Sequence, residues 1–212
     1  MTISALIMAG GKGTRMNSPQ EKPLINICNK PVIDYVFNAL KNAKKIDNIY
    51  IAVTQQTPKT TKYVEKFQAK IVTTPGKDYV SDMGYATQTL KLGKFLAIAA
   101  DLPLITGEIL DQIIERYENC GKPALTVAIP IETKIKMGMS IEYSFKMNDK
   151  DVVPTGINVI DGNKQYGNEW LDQDIFLLNQ PELAINVNTP QELQTAQTLL
   201  STTQTSKQTT KQ

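Results

Sequence analysis

Histidine is absent from all 212 residues. Its absence removes the usual general base near neutral pH and the commonest transition-metal ligand, leaving any chemistry to carboxylates, cationic side chains and hard metal ions. Cysteine is scarce as well. Cys28 and Cys120 are the two present; they lack metal-ligand spacing and are too few for a secreted disulfide scaffold, which points to two free thiols in a reducing cytoplasm. Neither sign of charge dominates. The formal net charge is +2, so nothing global advertises nucleic acid or an acidic membrane as a partner, and any positive field must be local. Long apolar runs are missing too: no stretch approaches the roughly 18 residues of a membrane span, and the amino terminus enters a strand pattern without a basic leader or cleavage site. The expectation is a cytoplasmic protein with no integral membrane segment.

What is present begins with residues 5–24, ALIMAGGKGTRMNSPQEKPL. Residues 5–9 form an apolar run with no polar interruption, the pattern of a strand buried on both faces. It breaks at once into a glycine-rich, basic loop. Gly10, Gly11 and Gly13 lack a Cβ, so the backbone there is free to take positive φ and bring its N–H groups up to an anion. Lys12, Arg15 and Lys22 add positive charge, and the Thr14 hydroxyl is a further donor. Such a loop suits a polyphosphate. Two standard motifs are excluded: G-x-G-x-x-G needs glycine where Arg15 or Met16 stands, and Walker A needs Ser or Thr directly after Lys12, where Gly13 stands.

Further along, residues 31–44 carry a helical apolar stripe, 48–53 a strand, 57–68 a helix and 69–73 a strand, a βαβαβ order that implies right-handed crossovers and a sheet covered on both sides. Residues 79–92 read as helix and 94–100 as a strand ending in Asp101-Leu102-Pro103. With strand order 3-2-1-4, that strand lies beside the first and Asp101 faces the glycine loop; the alternative for Asp101 is a turn or capping role. A helix at 106–119 with Thr106 as N-cap and Gly121 past its end, and a strand at 124–129, follow. Residues 132–151 alternate Lys134, Lys136 and Lys146 with methionine and aromatic residues, compatible with a plain hairpin or with an acceptor platform whose lysines meet a phosphate. Residues 153–160 read as a strand with an irregular start at Gly156, 168–178 as a short helical piece with Trp170, Ile175 and Phe176 in the core, and 183–187 as a last strand. Asn186 and Asn188 then share one face of that strand end, although helix capping explains part of the pattern. A helix opening at Thr189-Pro190 runs to about residue 200, and the Ser/Thr/Gln/Lys tail, 201–212, is expected to be disordered.

Residues 6–36, with A-G-G-x-G-T-R-M, K-P-L and N-K-P-V-I-D-Y-V, resemble the amino-terminal signature of nucleotidyltransferases that couple a nucleoside triphosphate to a phosphorylated acceptor. Within that superfamily, LIMAGGKGTRM, EKPL, PTGINVI and INVNTPQEL are most similar to the archaeal adenosylcobinamide-phosphate guanylyltransferases, over nearly the whole chain to residue 200. The resemblance implies one Rossmann-like α/β domain over residues 1–200, with a mostly parallel central sheet and helices on both faces. It implies GTP as substrate, adenosylcobinamide phosphate as acceptor and magnesium as metal. The loop from Gly10 to Thr14, with Lys12 and Arg15, would hold the β- and γ-phosphates and Lys22 would reach the α-phosphate. Asp101 would bind magnesium, with Asn188 or Asn186 completing its shell. Gly76, Tyr79 and Asp82 would approach guanine, and Gly156 would line the site; for Asp82 an exposed first-turn acid is the competing reading. Other phosphorylated acceptors (a sugar 1-phosphate, methylerythritol phosphate, molybdopterin) and a non-enzymatic nucleotide sensor are the alternatives. No hexapeptide repeat of the kind many sugar enzymes append is present. The oligomeric state, a homodimer included, stays open.

Overall fold

The computed structural model describes residues 1–11, 13–16, 18–164 and 171–209. In chain order its elements are β1 (Ile3–Met8), a small hairpin of β2 (Asn26–Ile27) and β3 (Lys30–Pro31), α1 (Val32–Asn42), β4 (Ile46–Thr54), α2 (Pro58–Val64), β5 (Lys70–Thr74), α3 (Tyr79–Leu90), β6 (Lys94–Ala99), α4 (Gly107–Cys120), β7 (Ala124–Pro130), α5 (Ile131–Lys136), β8 (Phe145–Met147), β9 (Lys150–Asp161), β10 (Gln173–Leu177) and α6 (Pro190–Thr209). The main sheet runs β5-β4-β1-β6-β9-β7-β10, with β8 paired to β9. Four parallel strands, β5-β4-β1-β6, reproduce the expected 3-2-1-4 order. Beyond them β9 is antiparallel to both its neighbours, and β10 is parallel to β7.

The alternation of side chains along each central strand explains why both faces are covered. Ala5 and Ile7 of β1, Ile51 and Val53 of β4, and Leu96 and Ile98 of β6 enter one core, shared with Ile33, Val36 and Phe37 of α1 and Leu110, Ile113 and Ile114 of α4. Leu6, Ala52, Phe95 and Ala97 point to the other face, against Met83 and Ala86 of α3. Residues 5–8, 51–53 and 95–99 are therefore apolar at consecutive positions rather than at every second one, and each fully buried Leu, Ile or Phe contributes roughly 1.5–3 kcal/mol relative to exposure. Helix α4 is fixed at both ends as its sequence predicts: the Thr106 hydroxyl accepts from the Ile109 N–H at 3.3 Å, and Gly121 ends it at φ +69°.

A third, smaller core holds Met16, Ile25, Ile27, Val32, Met139, Ile185, Val187, Ala196 and Leu200. It joins the end of the glycine loop, the segment after Lys22 with the start of α1, Met139 after α5, the segment before α6 and α6 itself, and so fixes the relative positions of separate pieces of chain.

Several expectations are corrected. Residues 173–177, expected in a helical piece, form strand β10, because Asp174-Ile175-Phe176-Leu177 pairs with β7 and lies under Arg116, whose guanidinium covers the Phe176 ring at 5.9 Å and bonds Asp174. Trp170 and Lys12 lie outside the described residues. Residues 183–187 form no strand: a 3-10 turn at Pro181–Leu183 precedes them, and the Val187 N–H is taken by the Asp101 carbonyl at 3.1 Å. The 132–151 segment opens as helix α5 and becomes a hairpin only at β8 and β9. Among the loop glycines Gly13 alone has positive φ, +64°. The last helix continues through 201–209 instead of stopping near 200, with Thr198, Ser201 and Thr202 hydroxyls bonded back to carbonyls of the preceding turn. Among the described residues no helix is long and apolar enough to cross a membrane.

Candidate active site

The carboxyl ends of β1 and β6 lie side by side, and backbone bonds carry the chain past both: the Ala9 N–H donates to Ala52 and the Ala100 N–H to Met8, at 2.8 and 3.3 Å. Here, where the order of strand connection reverses, opens a cleft of about 1690 Å³, whose walls include Gly10, Gly11, Arg15, Lys22, Asp101 and Asn188. Gly10 accepts from the Thr54 hydroxyl at 3.1 Å. A Cβ on Gly13 would come within 2.6 Å of the Lys22 Cβ, so the loop and the Lys22 stem approach each other closely only because that position is glycine. Thr14 is exposed, on the 3-10 turn Thr14–Met16.

Lys22 is the centre of the site. Its Nζ donates to Asp101 Oδ2 at 2.5 Å and to Asn188 Oδ1, with the lysine and aspartate side chains 17% and 13% exposed. Arg15 reaches the same amide oxygen, its Nη2 lying 3.4 Å from Asn188 Oδ1, and pairs through Nη1 with Glu142 across the cleft mouth. Asp101 caps no helix, because α4 starts at Gly107 with Thr106 as its cap. The Asn188 Nδ2 is buried and has no hydrogen-bond partner among the described residues.

The segments that carry these side chains are held from behind. Glu21 accepts the Lys59 and Thr60 N–H groups at 2.9 and 2.6 Å, at the first turn of α2, which fixes the residue preceding Lys22. Ile185 and Val187 point into the third core, and Asn186 and Asn188 therefore point away from it, the alternation expected of a strand kept in an extended segment without a ladder. Glu192, 2% exposed, accepts the Asn188 N–H at 2.7 Å and both the N–H and hydroxyl of Ser140 at 2.9 and 2.6 Å. Burial alone would raise its pKa. The bonds from Ser140 and Asn188 and the charge of Lys134 outweigh that and hold it below its ordinary value.

Sequence reasoning missed Glu21 and Glu192. The second was legible as the T-x-x-E spacing of Thr189 and Glu192, where the Thr189 hydroxyl accepts the Glu192 N–H at 3.2 Å while Glu192 reaches back past the cap to Asn188.

On the opposite wall Tyr79 donates to the Gly156 carbonyl at 3.2 Å, which brings together two residues that the sequence placed only in separate segments. Tyr79 is 37% exposed overall, yet its hydroxyl points inward; desolvation there pushes its pKa well up, and the charge of Asp101 acts in the same direction. Asp82 is buried, not an exposed first-turn acid, and its Oδ1 accepts the Gly76 and Lys77 N–H groups at 2.9 and 3.3 Å. It shapes the loop at Gly76.

The donor set around Lys22 suits a hard cation. One carboxylate oxygen and one amide oxygen converge on the Lys22 ammonium; both are hard oxygen donors of the kind a divalent cation takes, and such an ion would use them with the ammonium turned toward a substrate anion. Among the described residues no three His, Cys, Asp or Glu side chains gather to enclose a metal by themselves, so a metal here would share its shell with the substrate.

A mostly parallel α/β sheet with a glycine-rich loop, a basic residue and an acid-tipped strand meeting at its switch point defines a nucleotide-binding transferase site. The chain belongs to the family with a MobA-like NTP transferase domain, whose model matches residues 5–135. It is 35% identical over 213 aligned residues, 93% of this chain and 97% of the relative, to the adenosylcobinamide-phosphate guanylyltransferase of Methanocaldococcus jannaschii. It is 31% identical to a probable molybdenum cofactor guanylyltransferase of Thermococcus kodakarensis, over 56% of this chain and 55% of that one. The fold matches a CMP:2-keto-3-deoxy-manno-octonic acid synthetase solved with CTP, with a TM-score of 0.70 at 14% identity over 95% of this chain and 99% of that one.

Proposed function

We propose that the chain transfers GMP from GTP to adenosylcobinamide phosphate, giving adenosylcobinamide-GDP and pyrophosphate, with residues 1–200 acting as one nucleotidyltransferase domain in the cytoplasm. The observation that carries the acceptor is the likeness to the cobinamide enzyme over 97% of that relative's length, where the molybdenum cofactor relative matches over 55% of its own. The cleft adds support. Its volume of about 1690 Å³ leaves room beside a nucleotide for a large second substrate, and Tyr143, Phe145, Leu171 and Ile175 offer apolar surface on the side away from the loop.

In the reaction an oxygen of the acceptor phosphate attacks the α-phosphorus of GTP, and the bond to the bridging oxygen of pyrophosphate breaks. A phosphate monoester is already largely ionised near neutral pH and needs no general base, in keeping with a chain that has no histidine. The task left to the protein is electrostatic: two anions must be brought into line, and charge on the leaving pyrophosphate must be stabilised. The loop N–H groups and Arg15, with Lys12, hold the β- and γ-phosphates, and the Lys22 ammonium stabilises charge at the α-phosphate. Magnesium, held by Asp101 and Asn188, would supply further charge neutralisation when bound. Gly76, Tyr79 and Gly156 form the wall against which the guanosine lies.

Pyrophosphate release by the purified protein with magnesium tests the reading, using adenosylcobinamide phosphate, sugar 1-phosphates and molybdopterin as acceptors and GTP, ATP, CTP and UTP as donors. Release with GTP and the corrinoid phosphate is expected. Release with a different pair overturns the substrate assignment, and release with none overturns the enzymatic reading.

A further inference from the structure

Of the four lysines in the 132–151 segment, three lie outside the cleft wall. Lys136 and Lys150 are exposed, and Lys146 pairs with Asp151 at 3.4 Å on the outer hairpin. Lys134 is different. It lies on α5, is only 5% exposed, and forms part of the cleft wall together with Ser140, Asn186 and Asn188. Its Nζ donates to Asn186 Oδ1 at 2.5 Å and to the Ser140 carbonyl at 3.3 Å. Both partners are neutral, and among the described residues no carboxylate stands within ion-pairing distance of it. Lys22, by contrast, has Asp101 as a direct counterion.

A buried ammonium that meets only neutral oxygens is costly, and an anion arriving beside it is strongly favoured. Burial lowers the Lys134 pKa and the Lys22 charge acts in the same sense, against the raising influence of Glu192, Asp101 and Glu142. Those neighbours also locate the group: it shares the electrostatic environment of the Lys22–Asp101 pair but is carried by a separate element, α5, which leads toward the apolar wall at Tyr143 and Phe145.

We propose that Lys134 anchors the phosphate of the acceptor, with Asn186 and Ser140 setting the direction of its ammonium. The division of labour is then explicit. Lys22 serves the nucleotide phosphate and Lys134 the incoming phosphate, so that two like-charged substrates meet between two cations. Lys134 takes no part in bond making; it binds and orients the attacking group. The proposal rests on the nucleotidyl-transfer reading for the reaction, and on the cobinamide reading only for the body that carries the phosphate.

The test uses two ligands that differ only in that phosphate. Adenosylcobinamide phosphate and adenosylcobinamide are titrated calorimetrically into the full chain and into Lys134→Gln. The variant is expected to lose roughly 30-fold or more in affinity for the phosphorylated corrinoid and less than about 2-fold for the dephosphorylated one, with GTP binding unchanged. Equal loss for both ligands, the signature of a disturbed fold or a merely structural lysine, overturns the assignment, as does no loss for either. If the wild-type protein binds neither corrinoid, the acceptor reading has failed, and inorganic phosphate titrated with GTP in place tests Lys134 alone. Phosphate binding lost in K134Q then upholds the anchor; binding that is equal, or absent, in both proteins overturns it.

Discussion

An ammonium seated between a carboxylate and an amide oxygen, as Lys22 is between Asp101 and Asn188, is a preorganised charge in a partly dry site. Such a charge is worth most where charge changes during reaction and least where it merely adds to ground-state binding. Lys22→Ala is therefore expected to lower kcat by about 10²- to 10³-fold while GTP affinity changes by no more than a few-fold, because Arg15 and the loop N–H groups remain. Steady-state kinetics beside a direct GTP titration measure both quantities. Turnover near wild type would remove Lys22 from the mechanism. Lys22 and Asp101 were legible in the sequence because each follows a strong local pattern, K-P-L after the glycine loop and an aspartate closing a wholly apolar strand. Glu21 was not, since its carboxylate acts 38 positions away on Lys59, and no local spacing reports a contact of that range.

At the scale of elements, α6 does more than close the fold. Its first turn carries Glu192, which holds both the Asn188 backbone and the Ser140 turn, so one carboxylate ties together the segment before α6 and the segment after α5. Its folded pKa lies below the ordinary value of 4.5. A carboxylate with a depressed pKa contributes stability that is present in full above its unfolded pKa and is lost as pH falls through the folded value. Glu192→Gln presents an amide N–H₂ to one of two N–H donors and is expected to cost about 1–3 kcal/mol at neutral pH. Thermal unfolding across pH checks this. The difference in Tm between wild type and variant should be widest near pH 7 and shrink below pH about 4.5; a difference independent of pH would contradict the ionised, hydrogen-bonded role. The strand-to-helix alternation of the first hundred residues was readable because both faces of the sheet are covered and each central strand carries an unbroken apolar stretch, and α4, β7, β9 and α6 were readable after it. Two later segments were not: β10 is an edge strand whose partner is distant in sequence, and the segment before α6 forms no ladder, held by Asp101 and by the third core rather than by strand pairing.

The whole molecule divides its tasks across one sheet. The parallel half, β5-β4-β1-β6, presents the nucleotide loop and Asp101, and the half built around antiparallel β9 supplies Gly156, the hairpin and the apolar wall. Arg15 and Glu142 meet across the mouth between them, and Lys22 and Lys134 line the cleft from separate elements, bonded to Asn188 and Asn186. That geometry fits joining two phosphates, with attack at the α-phosphorus. The most direct measurement is the fate of labelled phosphorus when the protein is given magnesium, adenosylcobinamide phosphate and GTP carrying the label at either the α- or the γ-position. The α-label is expected in the corrinoid product and the γ-label in pyrophosphate. A γ-label found in the corrinoid product, or an α-label left in GDP, would mean phosphoryl transfer or hydrolysis instead and would contradict the account at its centre.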